Sequence, residues 1–281
     1  MLRNRTWLAI AIMSLLTMGE SRAQSSDEPE PTYKEVHLDS VSVDGPGTFI
    51  LHDADSGERH IHNPARAKTR FVPASTFKIP NTIIALETGV ADSPDFPLKR
   101  DTAKAPAKPY WPRSWKRGNT LRSAFQNSVY WYCQEIARRV GQARMQSFVD
   151  HFGYGNGNIS PAVDTFWLYG DLRISPLEQV DFLRRFCGDE LGVSERTTKM
   201  VQDIMVLEET EEYVLRGKTG TAEVTPTREL GWLVGYLQRD DRVWYYALNM
   251  EGERVWEEWP PRKRKDLVIR IFRALGVLTQ P

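Results

Sequence analysis

Ser75, Thr76, Phe77 and Lys78 set a hydroxyl and an amine three residues apart. On a helix that spacing puts both groups on one face, so the amine can reach the hydroxyl. A serine hydroxyl is a weak nucleophile until a neighbouring base takes its proton. Pro73 just before it suits a helix entry. Ser75 would then sit in a first turn, where backbone N–H groups can meet a developing oxyanion. Alone the pattern says little, because Ser-x-x-Lys arises by chance on the order of once in a chain this size. Lys218, Thr219, Gly220 and Thr221 form a second group, at the end of a predicted strand. Gly220 leaves out a side chain where a substrate must approach the strand edge, and Lys218 offers a cation to a carboxylate or a proton network.

In this order the two groups match the Ser-x-x-Lys and Lys-Thr-Gly motifs of penicillin-recognising serine enzymes. Tyr154, Gly155, Asn156 is similar to the Tyr-Gly-Asn box of class D (oxacillinase-type) serine β-lactamases, and Phe166, Trp167, Leu168 follows where that family keeps a Trp-Leu pair. The likeness extends over Pro73 to Asn81, Gln134 to Gly141, Phe152 to Ser160, Leu172 to Ser175 and Gly231 to Gly235. The chain therefore resembles class D β-lactamases over most of its length.

That resemblance implies the serine β-lactamase and penicillin-binding-protein fold, an α/β fold with an antiparallel sheet flanked by helices and an inserted all-helical lobe. It implies Ser75 as nucleophile and Lys78 as base, modified by CO₂ to N6-carboxylysine, with no other cofactor. An amine attacks CO₂ only when neutral, so the site must depress the Lys78 pKa, and the resulting anion needs a donor. Trp167 is the implied donor, with Leu168 beside it. Ser128 matches the Ser-x-Val motif and would pass a proton to the leaving nitrogen with Lys218 nearby. Backbone N–H groups of Ser75 and Thr221 would form the oxyanion hole, and Thr219, Gly220 and Arg262 would bind the substrate, a guanidinium suiting its carboxylate. The implied partners are β-lactam antibiotics, and the implied role is antibiotic resistance. One departure stands out: Tyr130 occupies the Val position of Ser-x-Val, and Cys133 replaces a larger apolar residue one turn on. Its position puts Tyr130 with Trp167 and Leu168 among the residues that would support the carbamate, but a phenol either turns away or hydrogen-bonds in the pocket, which puts carbamate stability, and hence deacylation, in question.

The surrounding sequence suggests what positions these groups. Thr48 to His52 and Arg59 to His62 read as a hairpin, with a further strand at Val41 to Val43. Helical periodicity dominates from Ser75 to about Leu207, with Gly89, Gly141, Gly153 and Gly188 as stops. Tyr213 to Arg216, Leu230 to Leu237 and Val243 to Asn249 read as strands, and about Lys265 to Leu275 as an amphipathic helix. The expected division is an α/β lobe from 24–72 and 208–281 and a helical lobe over 73–207, with a cleft between them.

Arg3 and Arg5 precede an apolar run from Trp7 to Met18, and Ser21, Arg22, Ala23 is a small-x-small cleavage site. Residues 1–23 thus read as a signal peptide, the run being short of the roughly 20 residues that span a bilayer. Cleavage would leave residues 24–281 as a single catalytic domain in the periplasm, off the membrane, beginning with a polar leader from Gln24 to Tyr33. Without Arg3, Arg5, Arg22 and Glu20 the balanced charge becomes 34 basic against 36 acidic residues, which excludes global attraction to nucleic acid. The sequence leaves a homodimer open. Cys133 and Cys187 each lie in apolar helical stretches, and we expect them unpaired.

His52, His60 and His62 could share a hairpin face, but no carboxylate or cysteine clusters with them, so no metal site is expected. Of the run Arg262 to Lys265 only Arg262 is given a role, the rest reading as a solvated helix start. Tyr110, Trp111 and Trp115 either rim the cleft or pack a loop. Two rival readings share the motifs: a penicillin-binding peptidase, and the sensor domain of a β-lactam receptor, which acylates without turnover.

Overall fold

The first hairpin is an alternating one: Arg59 to His62 returns beside Phe49 to His52 with Ile50 opposite Ile61. In the computed structural model, which describes residues 32–41 and 45–280, the chain runs through β1 (Tyr33–Glu35), β2 (Gly47–Asp53), β3 (Arg59–His62) and α1 (Pro64–Lys68). A 3-10 turn (Ala74–Phe77) leads into α2 (Lys78–Glu87), followed by β4 (Pro97–Leu98), β5 (Asn119–Thr120) and α3 (Leu121–Gln126). Then come α4 (Tyr130–Val140), α5 (Gln142–Phe152), α6 (Pro176–Cys187) and α7 (Glu195–Ile204). The chain ends with β6 (Val206–Glu209), β7 (Val214–Thr225), β8 (Arg228–Arg239), β9 (Arg242–Gly252), α8 (Val255–Glu258) and α9 (Pro261–Ala274). The signal peptide expected at residues 1–23 lies outside the described residues.

Among the described residues, seven strands make one sheet in the order β1-β3-β2-β9-β8-β7-β6, antiparallel except for the β1–β3 pair. Side chains alternate across it, as the two-residue period of a strand requires. Phe49, Leu51, Leu233, Tyr246 and Leu248 pack with Leu267, Val268, Ile271 and Phe272 of α9. Ile50, Trp232, Val234 and Ala247 join the larger core shared with the helices. Both faces are covered, so the central strands are buried almost continuously.

Helix α2 is the axis of the helical part, touched by α3, α4, α5 and α7. Every residue from Lys78 to Leu86 is buried. A helix apolar all round belongs inside a protein, and its first turn carries Lys78 into the interior with it.

Several expectations need correction. Tyr33, assigned to the leader, opens β1, whose backbone pairs with β3. Val41 closes a short 3-10 turn rather than opening a strand. Helix α6 falls in the span predicted as a helical lobe but packs on β2, β8 and β9. Its apolar face of Val180, Phe182 and Leu183 is buried there, so the two lobes share this helix. Strand β7 continues through polar residues to Thr225, pairing with β8 up to Arg228, so Lys218 to Thr221 sits in mid-strand. Helix α9 starts at Pro261, a residue suited to a first helical position, one turn before the predicted start. The helix stops at Gly141, Gly153 and Gly188 are where the periodicity put them.

Ser175 caps α6 in a reciprocal box: its hydroxyl accepts from the Glu178 N–H, and the Glu178 carboxylate accepts from the Ser175 N–H. Ser175→Ala should lower stability by about 1 kcal/mol, read as a shifted urea midpoint at constant slope.

Candidate active site

Ser75 enters the site through a strained turn. Ala74 adopts a left-handed φ of 49°, a conformation that costs a non-glycine residue energy and persists only where its surroundings hold it. The holding groups are on hand. Thr76 Oγ1 donates to Pro73 O at 2.7 Å and accepts from Gln179 Nε2 at 2.8 Å, and Gln179 Oε1 accepts from the Tyr154 hydroxyl at 3.3 Å. Phe77 stacks on Trp167 and meets Tyr154 and Phe166 edge-on.

Lys78 Nζ lies 3.1 Å from Ser75 Oγ, close enough to hydrogen-bond. Burial disfavours the ammonium and pulls the Lys78 pKa below its ordinary value, an effect the nearby Cys133 thiol partly offsets. Lys218 Nζ is 2.6 Å from Ser128 Oγ and also donates to Thr219 O at 3.0 Å. Its pKa is pushed well down by burial first, then by the charges of Lys78 and Arg264. Ser128 is itself held at a left-handed φ of 54°, just before α4.

Gly220 has a more demanding reason for being glycine than the one the sequence suggested. A Cβ there would stand 3.1 Å from Pro73 O, 3.2 Å from Thr76 Cγ2 and 3.3 Å from Ser75 N. The missing side chain lets β7 press against the Ser75 turn itself. Ser75, Ser128, Lys218, Thr219, Gly220 and Thr221 line one cleft of 680 Å³.

Trp167 is fully buried, and its indole Nε1 has no hydrogen-bond partner among the described residues. Leu168, half-buried, reaches the cleft wall. Tyr130 is placed differently from the expectation that it supports a carbamate on Lys78. Its ring meets Trp111 and Trp115 edge-on, and the cation that bears on its hydroxyl is Lys108. The residue whose charge bears on Lys78 is Cys133 instead. Trp111 and Trp115 thereby rim the cleft.

The run Arg262 to Lys265 also divides differently. Arg262 is 90% exposed at the cleft mouth, 4.0 Å from Asp266. Arg264, set aside as solvated, is wholly buried. It donates to Gly220 O at 2.6 Å, Trp232 O at 2.9 Å, Trp259 O at 2.8 Å and Thr221 Oγ1 at 2.8 Å. Burial pushes its pKa down to about 10. Lys265 pairs with Glu208. No pattern in four adjacent cations marks which will be enclosed, because two of the three enclosing carbonyls, Gly220 O and Trp232 O, lie more than thirty residues away in β7 and β8.

The Tyr-Gly-Asn box is scaffold here. Asn156 Nδ2 donates to Asp171 O at 2.8 Å and its Oδ1 accepts from Arg173 N at 2.9 Å, which fixes the segment that follows Trp167. A Cβ at Gly155, φ 61°, would stand 2.1 Å from Arg173 O. Both cysteines are free. The histidines are engaged separately: His52 accepts from Arg59, His60 pairs with Glu58, and His62 Nδ1 accepts from Leu38 N.

Residues 47–273 match the penicillin binding protein transpeptidase domain family. The chain is 36% identical over 276 residues to Beta-lactamase OXA-10 of Pseudomonas aeruginosa, covering 98% of this chain and 99% of that one. A solved class D β-lactamase from Nostoc is 39% identical, with a TM-score of 0.76 over 83% of this chain and 95% of that one. The C-terminal domain of the Bacillus licheniformis BlaR penicillin-receptor is 28% identical, with a TM-score of 0.81 over 89% of this chain and 99% of that domain.

Replacing Arg264 with Met would leave the Gly220 and Trp232 carbonyls without their buried donor. Arg264→Met should lower the unfolding free energy by about 3 kcal/mol, while Arg262→Met should stay within about 0.5 kcal/mol, both by urea denaturation.

Proposed function

Because the chain belongs to the class D serine β-lactamases, a branch of the penicillin-binding protein transpeptidase family, we propose that it hydrolyses the β-lactam amide of penicillin-type antibiotics through an ester on Ser75. The observation that carries this reading is the buried Lys78 amine 3.1 Å from the Ser75 hydroxyl, its pKa lowered by desolvation. Lys78, carbamylated as the family resemblance implies, would take the Ser75 proton as Oγ attacks the lactam carbonyl, and the same side chain would serve the water that later clears the ester. The oxyanion is met by the N–H groups of Ser75 and Thr221. As the C–N bond breaks, the nitrogen takes a proton from Ser128, which Lys218 replaces across their 2.6 Å contact. Thr219, on the strand that Gly220 lets lie against the Ser75 turn, and Arg262, in the first turn of α9, would hold the ring carboxylate.

The family's lysine modification suits these residues. Trp167 Nε1 is a buried donor lacking an acceptor, and the Lys78 pocket disfavours the ammonium that CO₂ cannot use. Trp167 would donate to the added carboxylate and Leu168 would wall it from water. The modified side chain supplies an anionic base for the water that clears the ester. No other cofactor is needed in this scheme.

The likeness to the BlaR penicillin-receptor domain favours a second reading, a protein that is acylated and stays so. Mass spectrometry during turnover of benzylpenicillin separates the two. On the hydrolase reading an adduct forms and clears, faster with added bicarbonate, and Ser75→Ala lowers turnover about a thousandfold or more. An adduct that persists through the assay would favour the receptor reading, and no adduct on the wild-type chain would overturn both. Because the base must be unprotonated, acylation should fall as pH drops through the Lys78 pKa, with its acid limb below 10.5.

Export to the periplasm and a contribution to antibiotic resistance belong to the same proposal and rest on residues 1–23. No helix among the described residues is long and apolar enough to cross a membrane. Protein recovered from a periplasmic extract should begin at or near Gln24 on Edman sequencing, and an intact Met1 terminus would remove the export step.

A further inference from the structure

The residues described around the cleft include Lys108, Lys218, Arg262, Arg264 and Lys265, and none that is acidic. Three of these cations are engaged within the protein: Arg264 with backbone carbonyls, Lys265 with Glu208, and Lys218 with Ser128 and Thr219 O. Arg262 and Lys108 stand at the surface. Both line the cleft, each from a different element. Arg262 lies in the first turn of α9, whose Arg264 grips Gly220 and Thr221. Lys108 lies on the loop between β4 and β5, its Nζ 5.7 Å from the centre of the Tyr110 ring, and its charge acts on Tyr130, two residues beyond Ser128.

A penicillin carries its ring carboxylate and its acyl side chain at opposite ends of the bicyclic nucleus. If Thr219 and Arg262 take the carboxylate, the other cleft-lining residues on offer to the side chain include Leu168, Trp115, Tyr130 and Lys108. That wall is a built aromatic surface. Trp111, Trp115 and Tyr130 meet one another edge-to-face with ring centres 5.2 to 5.8 Å apart. Trp115 Nε1 is anchored to Asn127 O at 2.8 Å, and Trp131 Nε1 donates to Trp115 O at 2.9 Å. Rigid rings of this kind bind a flat group with little loss of side-chain freedom. Contact with the Tyr110 hydroxyl keeps Lys108 protonated, its pKa lying above the ordinary value.

The geometry points to a subsite for β-lactams whose acyl side chain bears both an aromatic ring and a second carboxylate, the ring on Trp115 and Tyr130 and the carboxylate on Lys108. This rests on the β-lactam reading above and deepens it. Tyr130 is then a specificity-determining residue rather than part of the lysine pocket, which accounts for a bulky phenol in a place where the family has valine.

Benzylpenicillin and α-carboxybenzylpenicillin differ by that one carboxylate, so the ratio of their acylation rate constants isolates it. The rates are read by mass spectrometry, which needs no turnover, for the wild-type chain, Lys108→Met and Lys108→Glu. The ratio should fall about fivefold in Lys108→Met, the size expected of an exposed ion pair, and further in Lys108→Glu. In the wild-type chain it should also fall as sodium chloride is raised, and this salt dependence should vanish in Lys108→Met. The same ratio in all three proteins, with benzylpenicillin still acylating Ser75, would overturn this inference alone. Failure of both penicillins to acylate the wild-type chain would overturn the β-lactam reading and this one together.

Discussion

Two lysine amines held in one dry site repel each other and are both denied the water that would stabilise their charge. Lys78 and Lys218 are in that position, with Arg264 a third cation nearby and no acidic residue among those described around the cleft. Both lysines give up their protons more readily than an exposed lysine does. Arg264 is shifted the same way, but a pKa of about 10 still leaves the guanidinium charged at neutral pH. It keeps its charge and is surrounded by three carbonyl oxygens and a hydroxyl. One desolvated environment thus leaves easily deprotonated amines where the chain holds lysine and a rigid strut where it holds arginine.

What dries the site is the placement of α2. Because that helix is buried on every side, its first residue cannot reach solvent, and the Ser75 turn becomes the only part of it open to the cleft. The turn is then fastened from two directions. Gln179 and Tyr154 hold Thr76 from the helical side, and β7 presses in at Gly220 from the sheet. Arg264 completes the clamp by fixing the carbonyl of that same glycine. The position of Ser75 is therefore set jointly by the middle of the chain and by its C-terminal strand and helix.

Local regularities made part of this legible in the sequence. A spacing of three residues is enough to bring Lys78 to Ser75, and glycines at helix ends marked Gly141, Gly153 and Gly188 because the chain there needs conformations that other residues resist. Two-residue alternation found the hairpin of β2 and β3. What escaped depends on meetings between distant segments. Arg264 looks like its charged neighbours until β7 and β8 supply the carbonyls around it. Gln179 carries no motif, yet it touches Thr76 across more than a hundred residues. Tyr130 was assigned by its place in a short motif, but its ring follows Trp111 and Trp115 on a loop whose path no local pattern describes. Helix α6 was grouped with its neighbours in sequence, although the face it buries belongs to the sheet.

The sheet's two margins bear on how the protein behaves in a crowd. An open strand edge is a template on which another chain can add itself. Here one margin is β1, three exposed residues that include Lys34 and Glu35, with Lys34 paired to Glu58 at 2.7 Å. The other is β6, four residues ending in Glu208 and Glu209, interrupted by a register shift against β7. Short, charged and irregular, both margins discourage the strand-by-strand accretion that leads to aggregates. Edge-to-edge addition of a second copy to this sheet is therefore disfavoured at both margins.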